Sequence, residues 1–107
     1  MIVDLNRDFL NYDGTPFLEE HKTSEGKCMF RKVQMKTLVC VRLFNAGDKF
    51  SEEEKYDAYL LMHKIRKAGD NPVELSTSEA NLILRCCSSD LIAGAYGQLK
   101  SLLTPSE

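Results

Sequence analysis

The sequence predicts a mainly α-helical protein of the mixed α+β class, in which an N-terminal β-hairpin arm precedes a compact bundle of about four helices. Three observations support this fold class. Asp13-Gly14 is typical of a tight hairpin turn. Ser51 and Ser76 each stand three residues before a glutamate, which is the pattern of a capping box at a helix start. Apolar residues after both serines recur at helical spacing, and a chain of 107 residues can bury one hydrophobic core.

The N-terminal residues 1–26 are predicted to form an extended arm. The segments on both sides of Asp13-Gly14 contain aromatic and aliphatic residues, so we expect them to pair as the two strands of the hairpin. Pro16 has no amide N–H to donate to a sheet, so its strand should lie at an edge. The polar stretch 19–26 is predicted to connect the arm to a single helical domain over residues 27–107.

The first helix is predicted from Met29 to Asn45. Its expected inner face consists of apolar or neutral residues at helical spacing, namely Phe30, Val33, Thr37, Leu38, Val41 and Phe44. The stretch Thr37–Val41 is rich in β-branched residues, so a buried strand is the alternative there.

The second helix is predicted to begin after Ser51, whose capping box is completed by Glu54. The acidic residues of its first turn meet the positive end of the helix dipole. Gly69 suits the left-handed residue that ends a helix. The expected buried stripe contains apolar residues three or four positions apart: Ala58, Leu61, Met62, Ile65 and Ala68.

The third helix is predicted to begin at the Ser76–Glu79 capping box, with Ala80, Ile83, Leu84 and Cys87 on its buried side. Ser88-Ser89-Asp90 interrupts the pattern and offers another helix cap. A fourth helix follows and is expected to end before Pro105. Its inward residues are predicted to be Leu91, Ile92, Ala95, Leu99 and Leu102.

Side chains capable of chemistry form no recognisable catalytic, metal or phosphate-binding motif, and we interpret the four cysteines as free thiols. Neighbouring residues on a helix point about 100° apart. The adjacent Cys86 and Cys87 are therefore expected neither to share one metal ion nor to bond easily to each other, with one thiol in the core and the other at its boundary. His63 should lie at the edge of an apolar stripe. We predict a protein that is not an enzyme and uses no metal or cofactor.

Charge is unevenly distributed along the chain. Residues 27–49 contain six basic residues and a single aspartate, whereas the whole chain has a net charge of −2. Basic residues of this segment are candidate contacts for an acidic partner, and a solvated helix face is the alternative interpretation: Arg31, Lys32, Lys36 and Arg42.

Small residues lie inside the predicted fourth helix, although each glycine there costs roughly 1 kcal/mol relative to alanine. Gly94 and Gly97, together with Tyr96, create a low ridge that another helix could approach closely. Packing inside the chain would explain the ridge, and so would an interface with a second copy or with a different partner. The residues alone leave both explanations open.

The order of these features resembles a group of small phage and prophage proteins that are largely uncharacterised. The similarity spans most of the chain and is carried by short structural motifs: Asp13-Gly14-Thr15-Pro16, Ser51-Glu52-Glu53, Val73-Glu74-Leu75-Ser76 with Glu79, and Gly97-Gln98-Leu99. Cys86-Cys87 and the acidic connector are not parts of that pattern. The resemblance implies a phage origin rather than a chemical mechanism.

We therefore expect a small phage-encoded, non-enzymatic interaction protein, either an accessory in virion assembly or a modulator of a host or phage partner. We expect a homo-oligomer that also binds an unidentified protein partner. The alternative is a nucleic-acid-binding transcriptional regulator of a phage, since the third and fourth helices resemble a helix-turn-helix in length. Lys100 is the single basic residue of that fourth helix, which disfavours DNA reading.

The expected location is the cytoplasm, that of the host if a phage encodes the chain. The sequence has no apolar stretch near the roughly 20 residues that a bilayer-spanning helix needs. Its N-terminus also lacks the basic and apolar regions of a signal peptide. No membrane partner is expected.

Overall fold

A computed structural model describes residues 1–47, 50–89 and 91–104 of the chain. The predicted class, mixed α+β with an N-terminal hairpin and four helices, is confirmed over these residues. The helices are α1 (Met35–Phe44), α2 (Glu52–Ala68), α3 (Thr77–Cys87) and α4 (Ala93–Leu103). The strands are β1 (Ile2–Val3), β2 (Leu18–Lys22), β3 (Cys28–Lys32) and β4 (Val73–Glu74).

Both predicted capping boxes are present. The backbone N–H of Glu54 donates to Ser51 Oγ at 3.2 Å, and the Ser51 N–H donates to Glu54 Oε1 at 3.0 Å. The corresponding distances between Ser76 and Glu79 are 3.1 and 2.9 Å. Each box satisfies two amide donors that a helix start otherwise leaves unpaired. Gly69 ends α2 with a positive φ of +59°, as expected, but its ψ of −127° is not the left-handed helical conformation that the sequence predicted.

The predicted start of the first helix is wrong. Residues 28–32 form β3, and α1 begins at Met35. The expected inner face is mostly wrong as well, because Phe44 is 66% exposed while Met35, Val39 and Leu43 are buried. Of its predicted members, Val33 and Leu38 are half-buried against the core. The physical reason is the pairing of β3 with β2, a contact between distant residues that helical spacing does not reveal. The strand alternative for residues 37–41 is also wrong, since this stretch is helical.

The hairpin arm lies farther along the chain than the sequence predicts. The Asp13-Gly14 turn is present, with a Gly14 φ of +86°. Its flanking segments are joined by the isolated Leu10–Pro16 bridge and by the Asn11–Thr15 and Phe17–Phe9 backbone hydrogen bonds, without forming regular strands. The longer hairpin pairs β2 with β3 and contains five residues in each strand. Part of the predicted polar connector is therefore strand, and the hairpin crosses the expected boundary between residues 26 and 27.

Apolar side chains from all four described helices form one core, with Val3 from β1 and Val73 from β4. These short strands pair antiparallel, and the Leu75 N–H extends the pairing by donating to the Met1 carbonyl at 2.7 Å. The predicted α2 stripe is confirmed, with Ala68 half-buried and its other four members buried. In α3, Ala80, Ile83 and Cys87 are buried and Leu84 is half-buried.

The predicted inner face of α4 is partly wrong. Leu99 is buried as expected, but Leu103, which the pattern did not include, is buried too. Ile92 is 64% exposed because it lies at the N-cap position, before the first helical turn directs side chains toward the core. The N-cap residue of α4 is Ile92, which makes no side-chain cap, so neither Ser88 nor Ser89 forms the helix cap expected in Ser88-Ser89-Asp90. Asp90 and the predicted helix-ending Pro105 lie outside the described residues. No described helix is both long enough and apolar enough to cross a membrane.

Candidate functional site

The β2–β3 hairpin is the most exposed element of the described chain, because every residue of both strands is exposed. In the antiparallel register Glu20 faces Phe30, and side chains alternate between the two sides of the ladder. We call one side the arm face, formed by Leu18, Glu20, Lys22, Cys28, Phe30 and Lys32. The opposite side carries Glu19, His21, Met29 and Arg31.

The root of the hairpin is anchored by three backbone hydrogen bonds that form a triangle. The Phe9 N–H donates to the Val33 carbonyl at 2.9 Å, the Val33 N–H to the Phe17 carbonyl at 3.0 Å, and the Phe17 N–H to the Phe9 carbonyl at 2.8 Å. The Phe9 side chain is buried in the core. The hairpin therefore leaves the helical body from a fixed root while its strands remain in solvent.

The structure does not bring the four candidate basic residues together. Arg31, Lys32 and Arg42 line a groove of about 480 Å³ between the hairpin root and α1. Lys36 instead donates from Nζ to the Gly69 carbonyl, beyond the end of α2. Arg31 is paired with Glu19 at 2.6 Å, so its charge is partly neutralised within the chain.

Acidic groups border the same basic groove. Glu19 contributes to its lining, and Lys32 Nζ lies 3.9 Å from the Asp8 carboxylate. These carboxylates reduce the positive potential that an acidic partner would meet.

The α4 ridge faces solvent rather than the core. Gly94 and Gly97 are exposed, and a Cβ atom added to either one would meet no atom within 4 Å. Internal packing therefore does not explain these glycines. Tyr96 is half-buried, with Lys100 Nζ 6.0 Å from its ring centroid.

Gln98, which belongs to the Gly97-Gln98-Leu99 motif but was not predicted to make a tertiary contact, attaches α4 to the N-terminal segment. The Leu10 N–H donates to Gln98 Oε1 at 2.9 Å, and Gln98 Nε2 donates to the Leu10 carbonyl at 2.8 Å. The amide thus satisfies both backbone groups of one extended residue, as a partner strand would. Gly94 and Gly97 line the open groove of about 970 Å³ beside this contact.

The adjacent cysteines Cys86 and Cys87 have the predicted burial, but their thiols lie closer together than predicted. Cys87 is fully buried and Cys86 is half-buried, as predicted for a core and a boundary residue. Their Sγ atoms nevertheless lie 3.8 Å apart, closer than the helical angle suggested. The hydrogen bond with Cys87, followed by burial, raises the pKa of the Cys86 thiol. A raised thiol pKa favours the protonated form and disfavours nucleophilic chemistry.

Ion pairs connect the starts of α2 and α3 to neighbouring helices. Arg85 of α3 donates to Glu54, and Lys64 of α2 lies 3.0 Å from Glu79. The Arg85 hydrogen bond, together with the Ser51 backbone N–H, lowers the pKa of Glu54 to about 2. The Glu54 and Glu79 carboxylates therefore stabilise the starts of α2 and α3 rather than forming a reaction centre.

The outward side of α2 carries an aromatic cluster that the sequence analysis did not identify as a site. The Tyr56 and Tyr59 rings are stacked with centroids 6.4 Å apart, and the His63 ring contacts Tyr59 edge-on at 4.5 Å. Their positions opposite the buried α2 stripe are the sequence signal that could have revealed the cluster.

No three His, Cys, Asp or Glu side chains among the described residues are arranged to hold a metal ion. His21 lies on the hairpin and His63 on α2, both exposed. No family model, curated protein or solved structure matches this chain. The function of this chain must therefore be inferred from its exposed surfaces.

Proposed function

We propose that this chain is a small phage-encoded, non-enzymatic interaction protein that acts in the host cytoplasm. It serves as a virion assembly accessory or as a modulator of a host or phage protein, and it binds that partner through the arm face. The observation that carries the proposal is a fully exposed hairpin whose arm face includes Leu18 and Phe30.

Apolar exposure on a hairpin is unfavourable in water, and a partner surface would relieve it. Phe30 is 67% exposed, and Leu18 lies diagonally across the ladder on the same side. Full burial of such a side chain contributes roughly 1.5–3 kcal/mol. Because an isolated two-stranded hairpin is only marginally stable, contact with a partner would also order the arm.

The charges around the two apolar residues indicate the chemistry of the partner surface. Lys22 and Lys32 belong to the arm face together with Glu20, its one carboxylate. Because Asp8 partly neutralises Lys32, Lys22 supplies most of the positive charge of this face. An apolar pocket bordered by acidic side chains would complement this arrangement, with the lysines at a polar rim. The partner we propose is therefore a protein with such a pocket.

The nucleic-acid alternative receives less support from the same geometry. A regulator needs an exposed basic stripe, whereas Arg31 is paired with Glu19 and Lys36 with a backbone carbonyl. We expect no tight duplex binding. Submicromolar, salt-sensitive DNA binding that is lost in Lys32→Glu/Lys36→Glu would replace the interaction proposal with the regulator.

Site-specific photocrosslinking in host cells that carry the complete phage genome tests the proposal. A photoreactive phenylalanine analogue at position 30 should form a discrete adduct with one phage or host protein. The same analogue at position 29, on the opposite side of the hairpin, is the matched control and should not form that adduct.

Affinity measurements with the purified partner then show how much each side of the hairpin contributes to binding. We expect Phe30→Ala to weaken binding by at least about tenfold, and Met29→Ala to change it little. Equal effects of the two variants, or no heterologous adduct from position 30, would contradict the proposal.

A further inference from the structure

We propose that two copies of this chain associate through the outward side of α2, with the two helices antiparallel about a twofold axis. We call this surface the outer α2 face, and it consists of Glu52, Glu53, Tyr56, Tyr59, Leu60, His63, Arg66 and Lys67. It lies opposite the stripe that α2 buries against the core. It is separate from the arm face, so the inference does not depend on the proposed function.

The centre of the outer α2 face is apolar and aromatic. Tyr56 is 62% exposed, Leu60 is 48% exposed, and Tyr59 connects the Tyr56 ring to the His63 ring. The three rings already contact one another along two helical turns, so ordering them in an interface costs little further rotamer entropy. Aromatic residues of this kind supply most of the energy at interface centres.

Charges of opposite sign stand at the two ends of the same face. Glu52 and Glu53 lie at the start of α2, and Arg66 and Lys67 lie in its last turn. None of these four makes an ion pair within the described chain. Elsewhere on α2, Glu54 pairs with Arg85 and Lys64 pairs with Glu79. Lys55 and Asp57, which lie at the two margins of the outer α2 face, carry opposite charges that offset each other.

This charge order determines which orientation a second copy would adopt. An α-helix of 17 residues is about 25 Å long. If the twofold axis passes near Tyr59 and Leu60, the acidic end of each helix lies beside the basic end of the other, and each contact occurs twice. A parallel pair would instead bring like charges together.

The helix dipole also favours acids at a helix start and bases at its end, so the charges alone would not require a partner. The exposed aromatic cluster between them is what the dipole does not explain. An antiparallel second copy accounts for both features at once. It buries the aromatic centre and pairs the four unpaired charges in the closed, isologous arrangement typical of homodimers.

Sedimentation velocity of the full chain over a range of concentrations tests this dimer. One helix pair is a small interface, so we expect a concentration-dependent dimer with micromolar affinity. Tyr59→Ala should weaken self-association by about tenfold or more while the circular dichroism spectrum stays unchanged. A wild-type protein that remains monomeric at the highest attainable concentration would overturn the inference.

Charge reversal tests the antiparallel orientation directly. Glu52→Lys/Glu53→Lys and Arg66→Glu/Lys67→Glu should each be monomeric, because each places like charges at both contact points. An equimolar mixture of the two variants should dimerise again. If the folded variants stay monomeric when mixed, or if either one alone dimerises as the wild type does, the antiparallel interface is wrong.

Gly94→Leu on α4 is the matched control for a different interface. Apart from the adjacent turns of α4 itself, a Cβ at position 94 meets no atom of the described residues within 4 Å, so the variant should fold and dimerise normally. If Gly94→Leu yields folded monomers while both charge reversals leave the dimer intact, the interface lies on α4 and the α2 inference is wrong.

Discussion

The helix α3 and the β2–β3 hairpin are both short elements of one chain, yet they are stabilised in different ways. The helix has a capping box at its start and buries Ala80, Ile83 and Cys87 in the core. The hairpin buries none of its strand residues and is attached only at its root. The comparison shows that regular backbone hydrogen bonding can form an element without contributing to the core.

The same difference separates the residues that stabilise this fold from those that are available to bind a partner. A substitution in α3 changes the packing of the helical body, whereas a substitution on the arm face changes what the protein can bind. A surface that contributes little to folding can carry exposed apolar residues that bind a partner. Unfolding measurements on variants of the core, the hairpin and the helix starts test this separation.

The largest expected effect is on unfolding free energy in the core. Ile83→Ala removes a fully buried side chain from α3 and should destabilise the protein by about 2–5 kcal/mol. Phe30→Ala, its counterpart on the hairpin, should change stability by less than about 0.5 kcal/mol. Urea unfolding followed by circular dichroism measures both. A Phe30→Ala cost comparable with that of Ile83→Ala would show that the hairpin is part of the folding core.

A smaller effect is expected from the α3 helix cap. Ser76→Ala removes the acceptor for the Glu79 N–H and should cost about 0.5–2 kcal/mol, which is typical for loss of an N-cap. Ser78→Ala alters an exposed serine two residues later, within the first turn of α3, and should have little effect. If the two variants unfold at the same urea concentration, the capping box does not stabilise α3.

The smallest expected effect is a pH dependence of the unfolding free energy, which arises from Glu54 at the start of α2. The pKa of Glu54 is lowered from 4.5 to about 2, so its ionised form favours the folded state. That contribution is fully present above pH 4.5 and is lost as the pH falls through 2. The stability difference between wild type and Glu54→Gln should therefore be constant near neutral pH and shrink between those values.

Urea titrations of both proteins from pH 7 to pH 2 measure this difference. Glu53→Gln is the matched control, because the Glu53 carboxylate makes no ion pair with any described residue. The stability difference between wild type and Glu53→Gln should therefore not shrink toward pH 2. A Glu54→Gln difference that stays the same down to pH 2 would mean that the Arg85 and Ser51 contacts do not stabilise the carboxylate in solution.

The candidate sites were less predictable than the helices, because a site depends on which surfaces meet. Arg31 and Lys36 are close in sequence, but the hairpin directs one toward Glu19 while α1 directs the other to the end of α2. The exposure of Gly94 depends on how α4 packs, and spacing alone could not reveal it. Tyr56, Tyr59 and His63 were recognisable in principle, since they fall opposite a stripe that the sequence identified correctly.

The sequence by itself determined the features that depend on neighbouring residues. Ser51 and Ser76 start their helices through contacts three residues away, and the apolar period from Ala58 to Ile65 specifies the buried side of α2. Only the tertiary structure decided that residues 28–32 are a strand. Their hydrogen-bond partners are in β2, and the root of that pair depends on Phe9, so no local pattern contains the information. Local contacts are encoded by spacing, whereas pairing between distant segments depends on the free energy of the whole fold.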